Sequence, residues 1–193
     1  MELKNLNTKY LSRKFDYYKT IDSTQDEIWR RIESGNLING ETVFSEIQTN
    51  SYGTHGRIWH TDETGNIAFS FVIQTNSKIE NLDGMTLEIA QIFVKIFKEY
   101  EINIKIKLPN DLYLNGKKMG GILCQTKLIG ENVRYIVIGI GININKMNFS
   151  EDIKEIATSV KKEFPEMEVN NLEIVSKFCN IFEDILNKRI GEK

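Results

Sequence analysis

Three short stretches of this sequence carry side chains able to act on an anion. The first runs from Gln48 to Trp59 and sets Gly53, Gly56, Arg57 and Trp59 among polar residues. Glycines let a backbone approach a ligand closely, a guanidinium forks onto phosphate or carboxylate, and an indole makes an apolar wall. The second reads K-L-P-N-D-L-Y-L-N-G-K-K-M-G-G-I from Lys107 to Ile122. Pro109 ends a strand there, Asn110 and Asp111 offer an amide and a carboxylate, and Lys118 returns toward them after a tight turn. Gly120 and Gly121 leave room above the returning strand. The third places Gly139, Gly141 and Asn143 at two-residue steps, hence on one face of a strand. It lacks the third glycine and the following helix of a dinucleotide-binding fingerprint. Taken singly, each stretch also reads as plain structure: a surface loop anchored by its tryptophan, an Asn-Gly hairpin with solvated lysines, and tightly packed strands.

The elements that must hold these residues follow from periodicity. Thr24, Gln25, Asp26 and Glu27 form a capping box ahead of Ile28, Trp29 and Ile32, and Gly35 supplies a stop, which predicts a helix over 24–34. Strands are expected at 41–48 and 66–74, with a polar loop over 49–65 too long for a simple hairpin. A four-residue rhythm of Ile89, Phe93 and Phe97 predicts a helix over 85–100. Ile102, Ile104 and Ile106 alternate with polar residues as in a half-buried strand, and Asn115-Gly116 predicts a type I′ turn into a strand over 118–127. A further strand is expected at 134–144 and helices at 151–163 and 171–190. Together these predict an α/β (α+β) domain with a mixed, largely antiparallel sheet and helices packed on one face.

Composition narrows the class. The chain has 193 residues, 40% hydrophobic and 27% charged, with 13 glycines and 2 prolines, which suits one compact domain and neither a collagen nor a disordered tail. A net charge of −2 without a Lys/Arg block argues against a surface built to neutralise nucleic acid. Cys124 and Cys179 lie in apolar segments without metal-ligand spacing, as buried reduced thiols do. The longest apolar stretch, around 135–144, is far below the ~18 residues a membrane span needs, so a soluble, cytoplasmic protein is expected.

In combination the motifs resemble one family, the biotin protein ligases, or biotin–[acetyl-CoA-carboxylase] ligases. Asp22-Ser23-Thr24 resembles the family's D-S-T, and Gln48 to Trp59 its glycine/arginine loop ending in G-R-x-W. Pro109-Asn110-Asp111 with Lys118 and Gly121-Ile122-Leu123 is similar to its P-N-D segment, Gly139 to Asn143 to G-x-G-I-N, and Ala157-Thr158-Ser159 to A-T-S. The resemblance implies a two-step reaction in which biotin and ATP form biotinyl-5′-adenylate and pyrophosphate, and a lysine of a biotin carboxyl carrier protein domain then takes the biotin. It implies catalytic roles for Lys118 and Arg57. Biotin would be bound by Ser23, Thr24, Gln25, Gln48, Gly53, Lys118 and Gly121, and the nucleotide by Arg57, Trp59, Asn110, Lys118 and Asn143. Mg²⁺ is expected with ATP, and Asp111 is a candidate ligand for it. Lipoate or octanoate ligases and transferases share the expected fold, and a non-catalytic binder of biotin or carrier is a third reading.

The sequence also departs from the family. Where its loop commonly reads G-R-G-R-x-G-R-x-W, Ser51, Tyr52 and Thr54 replace one glycine and two arginines, and Leu108 stands where a tryptophan usually precedes P-N-D. Only 21 residues precede Asp22 and three follow Ile190. The expectation is therefore a single catalytic domain over 1–193, without the helix-turn-helix or SH3-like domains of some relatives and without DNA binding.

Overall fold

The computed structural model describes residues 2–191. Strand β1 (Phe15–Ile21) leads through α1 (Thr24–Ser34) into β2 (Thr42–Gln48), and this crossover makes β1 and β2 a parallel pair. After a long loop come β3 (Ile67–Lys78), α2 (Met85–Lys98), β4 (Lys105–Lys107) and β5 (Asp111–Leu114). The long strands β6 (Lys117–Ile129) and β7 (Asn132–Ile142) follow, then α3 (Val160–Glu163) and α4 (Asn171–Ile190). The strands lie in the order β1-β2-β3-β7-β6-β5-β4, and every neighbouring pair except β1 and β2 is antiparallel.

Alternation along β3 and β7 sends Phe69, Phe71, Ile136 and Ile138 to one face, where α2 and α4 cover them. Phe178 of α4 stacks on Phe93 of α2 with centroids 4.9 Å apart. Burying each such ring contributes about 1.5–3 kcal/mol. Val72 and Val137 point the other way and meet Ile28 and Ile32 of α1. Helices on one face thus describes α2 and α4, while α1 lies on the opposite face, because a crossover between parallel strands must lie over the sheet.

Three expectations are corrected in detail. The cap of α1 is Ser23, whose side chain accepts the Asp26 N–H, so Thr24 is already helical and its hydroxyl is free for other partners. The segment expected as a helix over 151–163 is helical only from Val160, since Ala157 runs extended beside Lys118 as a parallel bridge. Only Lys105–Lys107 of the Ile102–Ile106 alternation pairs in the sheet, although Ile102 and Ile104 are buried as the pattern requires. Strand β1 has no period-two pattern because it is an edge strand, half-covered along most of its length. The Asn115-Gly116 turn has positive φ at both residues, 49° and 81°, as a type I′ hairpin demands.

Candidate active site

The face that α1 shares is lined by small residues where β3, β7 and β6 meet. Gly139 lies between Ser70 and Leu123, and Gly141 between Ala68 and Gly121. Other groups rest directly on these glycines. A methyl group at Gly139 would stand 2.6 Å from Gln25 Oε1, and one at Gly141 would stand 2.5 Å from the Trp59 indole nitrogen. Any larger residue would displace the side chains that α1 and the polar loop lay on the sheet.

Above this floor a first cleft of about 520 Å³, counting its solvent-open mouth, runs from the start of α1 to Lys118. Its polar end is organised by hydrogen bonds between elements. Gln48 Oε1 accepts from the Thr24 backbone N–H at 2.8 Å and from its hydroxyl at 3.1 Å, and the Thr24 and Ser70 hydroxyls are 2.9 Å apart. Gln25 donates to Gln125 Oε1 at 2.9 Å, an oxygen that also accepts the Trp29 indole N–H at 2.7 Å. Gln25 is 4% exposed, and its Oε1 is buried without a hydrogen-bond partner among the described residues. An acceptor in that state costs about 1–3 kcal/mol until a donor reaches it.

The polar loop closes over the sheet as a compact arch. Trp59 N–H donates to the Ser51 carbonyl at 3.0 Å, the Ser51 hydroxyl returns a bond to the Trp59 carbonyl at 2.6 Å, and Gly53 N–H reaches the Arg57 carbonyl at 2.8 Å. Between them His55 and Gly56 take positive φ angles of 60° and 70°, which reverses the chain and carries Arg57 to the surface. Tyr52 ties the arch to α1 by donating to Asp26 at 2.7 Å. Burial and the Asp26 carboxylate push the Tyr52 phenol up to about 12, so it stays a donor.

A second cleft of about 790 Å³, measured in the same way, adjoins the first and shares Gly53, Thr54, Trp59 and Lys118 with it. Phe149, Ile153 and Ile156 give it an apolar side, while Arg57, Lys118 and Lys146 give it charge. Lys118 stands at the junction. Its ammonium is 2.6 Å from Asp111 Oδ1 and 5.8 Å from the centre of the Trp59 ring. Its backbone is clamped by the segment that resembles A-T-S: Lys118 N–H donates to the Ile156 carbonyl at 2.8 Å, and Thr158 N–H to the Lys118 carbonyl at 2.9 Å.

Every residue given a catalytic or binding role from the sequence lines one or both of these clefts, whereas Gly56, Pro109 and Gly120 line neither. Ser23, Thr24, Gln25, Gln48 and Gly121 line the first, Arg57 and Asn143 the second, and Gly53, Trp59 and Lys118 both. Asn110 lines the first cleft, its amide donating to the Ile122 carbonyl at 2.8 Å, and Asn143 likewise holds the Thr158 carbonyl at 3.1 Å. Leu108 is 70% exposed and lines neither cleft. Sequence reasoning missed Tyr52, Ser70, Gln125, Lys146 and Phe149, since nothing in their spacing reports that the chain returns there. Among the described residues no group of three or more His, Cys, Asp or Glu side chains is placed to hold a metal ion. Asp111 is engaged by Lys118, so the protein offers a metal little by itself.

The sequence model of the Biotin/lipoate A/B protein ligase family matches residues 17–143, more than half of the chain. The chain belongs to this family. The bifunctional ligase/repressor BirA of Bacillus subtilis is 31% identical over 160 residues, covering 81% of this chain and 49% of that protein. The biotin–[acetyl-CoA-carboxylase] ligase of Mycobacterium tuberculosis is 25% identical over 153 residues, covering 77% of this chain and 55% of that one. Among solved structures, a biotin protein ligase from Aquifex aeolicus in complex with biotin and ATP superposes with a TM-score of 0.72 at 27% identity, covering 94% of this chain and 73% of that one. The chain spans about half the length of the curated relatives it matches. The part matched to the Biotin/lipoate A/B protein ligase family takes in the glycine floor, the arch and Lys118, and ends at Asn143, before Lys146 and Phe149.

Proposed function

We propose that this chain is an ATP-dependent biotin protein ligase, and the observation that carries the reading is Lys118 at the junction of two clefts of different chemistry. The first suits biotin. A ureido ring has one carbonyl acceptor and two N–H donors, and the polar end of the cleft answers with the Ser23 and Thr24 hydroxyls, Gln48 and the unpartnered Gln25 acceptor. The dithiolane of lipoate would leave these groups unsatisfied, at about 1–3 kcal/mol for each one kept from water. The second cleft suits ATP, with its apolar side for a base and its cations for phosphates.

Lys118 then leaves Asp111 and bridges the biotin carboxylate and the α-phosphate. The exchange is inexpensive, since an ion pair open to solvent is worth about 0–1 kcal/mol. A carboxylate oxygen attacks the α-phosphorus, the bond to the β-phosphate oxygen breaks, and pyrophosphate leaves with the charge. Lys118 and Arg57 offset the negative charge that gathers as two anions meet, which is how preorganised cations lower such a barrier. Trp59 walls both clefts, and Asn110 and Asn143 hold the floor and the 156–158 segment around them. In the second step a neutral lysine amine of a biotin carboxyl carrier domain attacks the acyl carbon of biotinyl-5′-adenylate, AMP departs with the bonding pair, and the amine's proton passes to solvent. Mg²⁺ would be held by the phosphates of ATP and offset their charge, and Asp111 is the carboxylate of the first cleft that would be free to bind it once Lys118 has moved.

Pyrophosphate release with ATP, Mg²⁺ and biotin tests this reading. Release that depends on biotin and not on lipoate is expected. Equal release with lipoate would assign the lipoate branch of the family, and binding of biotin without release would assign a binder.

A further inference from the structure

The second cleft contains one charged group that comes from neither the arch nor the hairpin. Lys146, four residues beyond the end of β7, is 1% exposed and lines this cleft. Its backbone is held from both sides: its N–H donates to Asn66 Oδ1 at 3.1 Å, and its carbonyl accepts the Ser159 hydroxyl at 2.6 Å. The ammonium meets the carboxylate of Asp62 and lies 5.7 Å from the centre of the Phe149 ring.

This ion pair is lopsided. The side chain of Asp62 is 66% exposed, against 2% for Lys146. Water competes for the carboxylate, so the pairing offsets little of the cost of burying the ammonium, and burial draws the lysine below its ordinary pKa. The cleft is lopsided in the same sense: Arg57, Lys118 and Lys146 line it, with His60, and among the described residues no aspartate or glutamate does. A multiply charged phosphate chain satisfies such a cation better than one solvated carboxylate, and the Phe149 ring helps keep water from the ammonium.

We propose that Lys146 is a nucleotide-binding residue whose ammonium exchanges Asp62 for a phosphate oxygen of ATP when the second cleft fills. This rests on the ligase reading above and adds to it a cation placed by the end of β7.

The test titrates ATP with Mg²⁺ calorimetrically into the full chain, with biotin binding and biotin-dependent pyrophosphate release measured alongside. Lys146→Gln is expected to weaken ATP binding at least about tenfold, the size of one charge-assisted hydrogen bond, while biotin binding stays within about twofold. Asp62→Asn, which removes the resting partner and keeps the cation, is expected to bind ATP as well as the wild type or better. Unchanged ATP binding by Lys146→Gln overturns the proposal. So does an Asp62→Asn variant that loses ATP binding to the same degree, since the pair would then only brace the loop. If Lys146→Gln does not fold, Lys146→Met, of similar length and apolar, is read by the same criteria. A wild type that binds ATP without releasing pyrophosphate overturns the ligase reading while the Lys146 comparison still stands, and one that binds no ATP overturns both.

Discussion

The indole of Trp59 lies against the α-carbon of Gly141, so close that a single added methyl group would stand 2.5 Å from its Nε1 and Cε2 atoms. The indole is therefore positioned by the absence of a side chain on β7. Because the Trp59 backbone is pinned to Ser51 at both its N–H and its carbonyl, the ring cannot follow a displacement and must rotate away. Gly141→Ala is expected to cost about 1–3 kcal/mol of overpacking, shared between stability and site geometry, and to lower pyrophosphate release by roughly tenfold or more. Tryptophan fluorescence and turnover measured on the same sample check this; wild-type turnover would show that the ring's position does not matter.

Lys118→Ala removes the only cation that, among the described residues, lines both clefts. Losing one preorganised group that stabilises developing charge slows a reaction by about 10²–10³. The melting temperature should hardly move, because the Lys118–Asp111 pair is partly open to solvent. A single-turnover assay of adenylate formation reads the first effect directly, and retention of full rate would refute the role assigned to this lysine.

Gln25→Met takes away the buried acceptor at the polar end of the first cleft and keeps the length of the side chain. The change also removes the Gln25 amide's bond to Gln125, and biotin affinity should fall about tenfold with the KM for ATP unchanged, since Gln25 lines the first cleft and not the second. A fall confined to ATP would move Gln25 out of the biotin site.

Stability should decline in alkali. Cys179 is fully buried, and burial pushes its thiol up to about 12, against about 8.5 in an unfolded chain. The folded value lies above the unfolded one, so the stabilisation is complete below about pH 8.5 and is lost as pH rises toward 12, by up to about 1.4 kcal/mol per pH unit. Cys124, raised to about 11 by burial, acts in the same direction. Urea unfolding midpoints at pH 8 and pH 10 are expected to differ less in Cys179→Ser than in the wild type; equal differences would exclude this thiol as a source.

Much of the sheet was legible because its residues face one way at a time. Phe69, Phe71, Ile138 and Ile140 alternate with small or polar partners, and the only arrangement that buries the one set uncovers Ser70, Gly139 and Gly141 together. The Asn-Gly turn and the Gly35 stop were equally local, since each needs a left-handed backbone that few other residues tolerate. Segment 151–163 was misread because its helical composition competes with a long-range demand: Ala157 must run beside Lys118, and that pairing belongs to no local window.

The sequence by itself determined the strands other than β1, the glycine floor and most of the polar and charged residues from which the clefts are built, because these depend on residue type and spacing along one segment. Tertiary structure alone decided that Gln25 keeps an unpartnered acceptor, that Lys118 rests on Asp111 between two clefts, and that Lys146 is buried against a solvated aspartate. Each of these is a relation between groups far apart in the chain, and burial and charge balance are properties of the assembled neighbours rather than of any residue read alone.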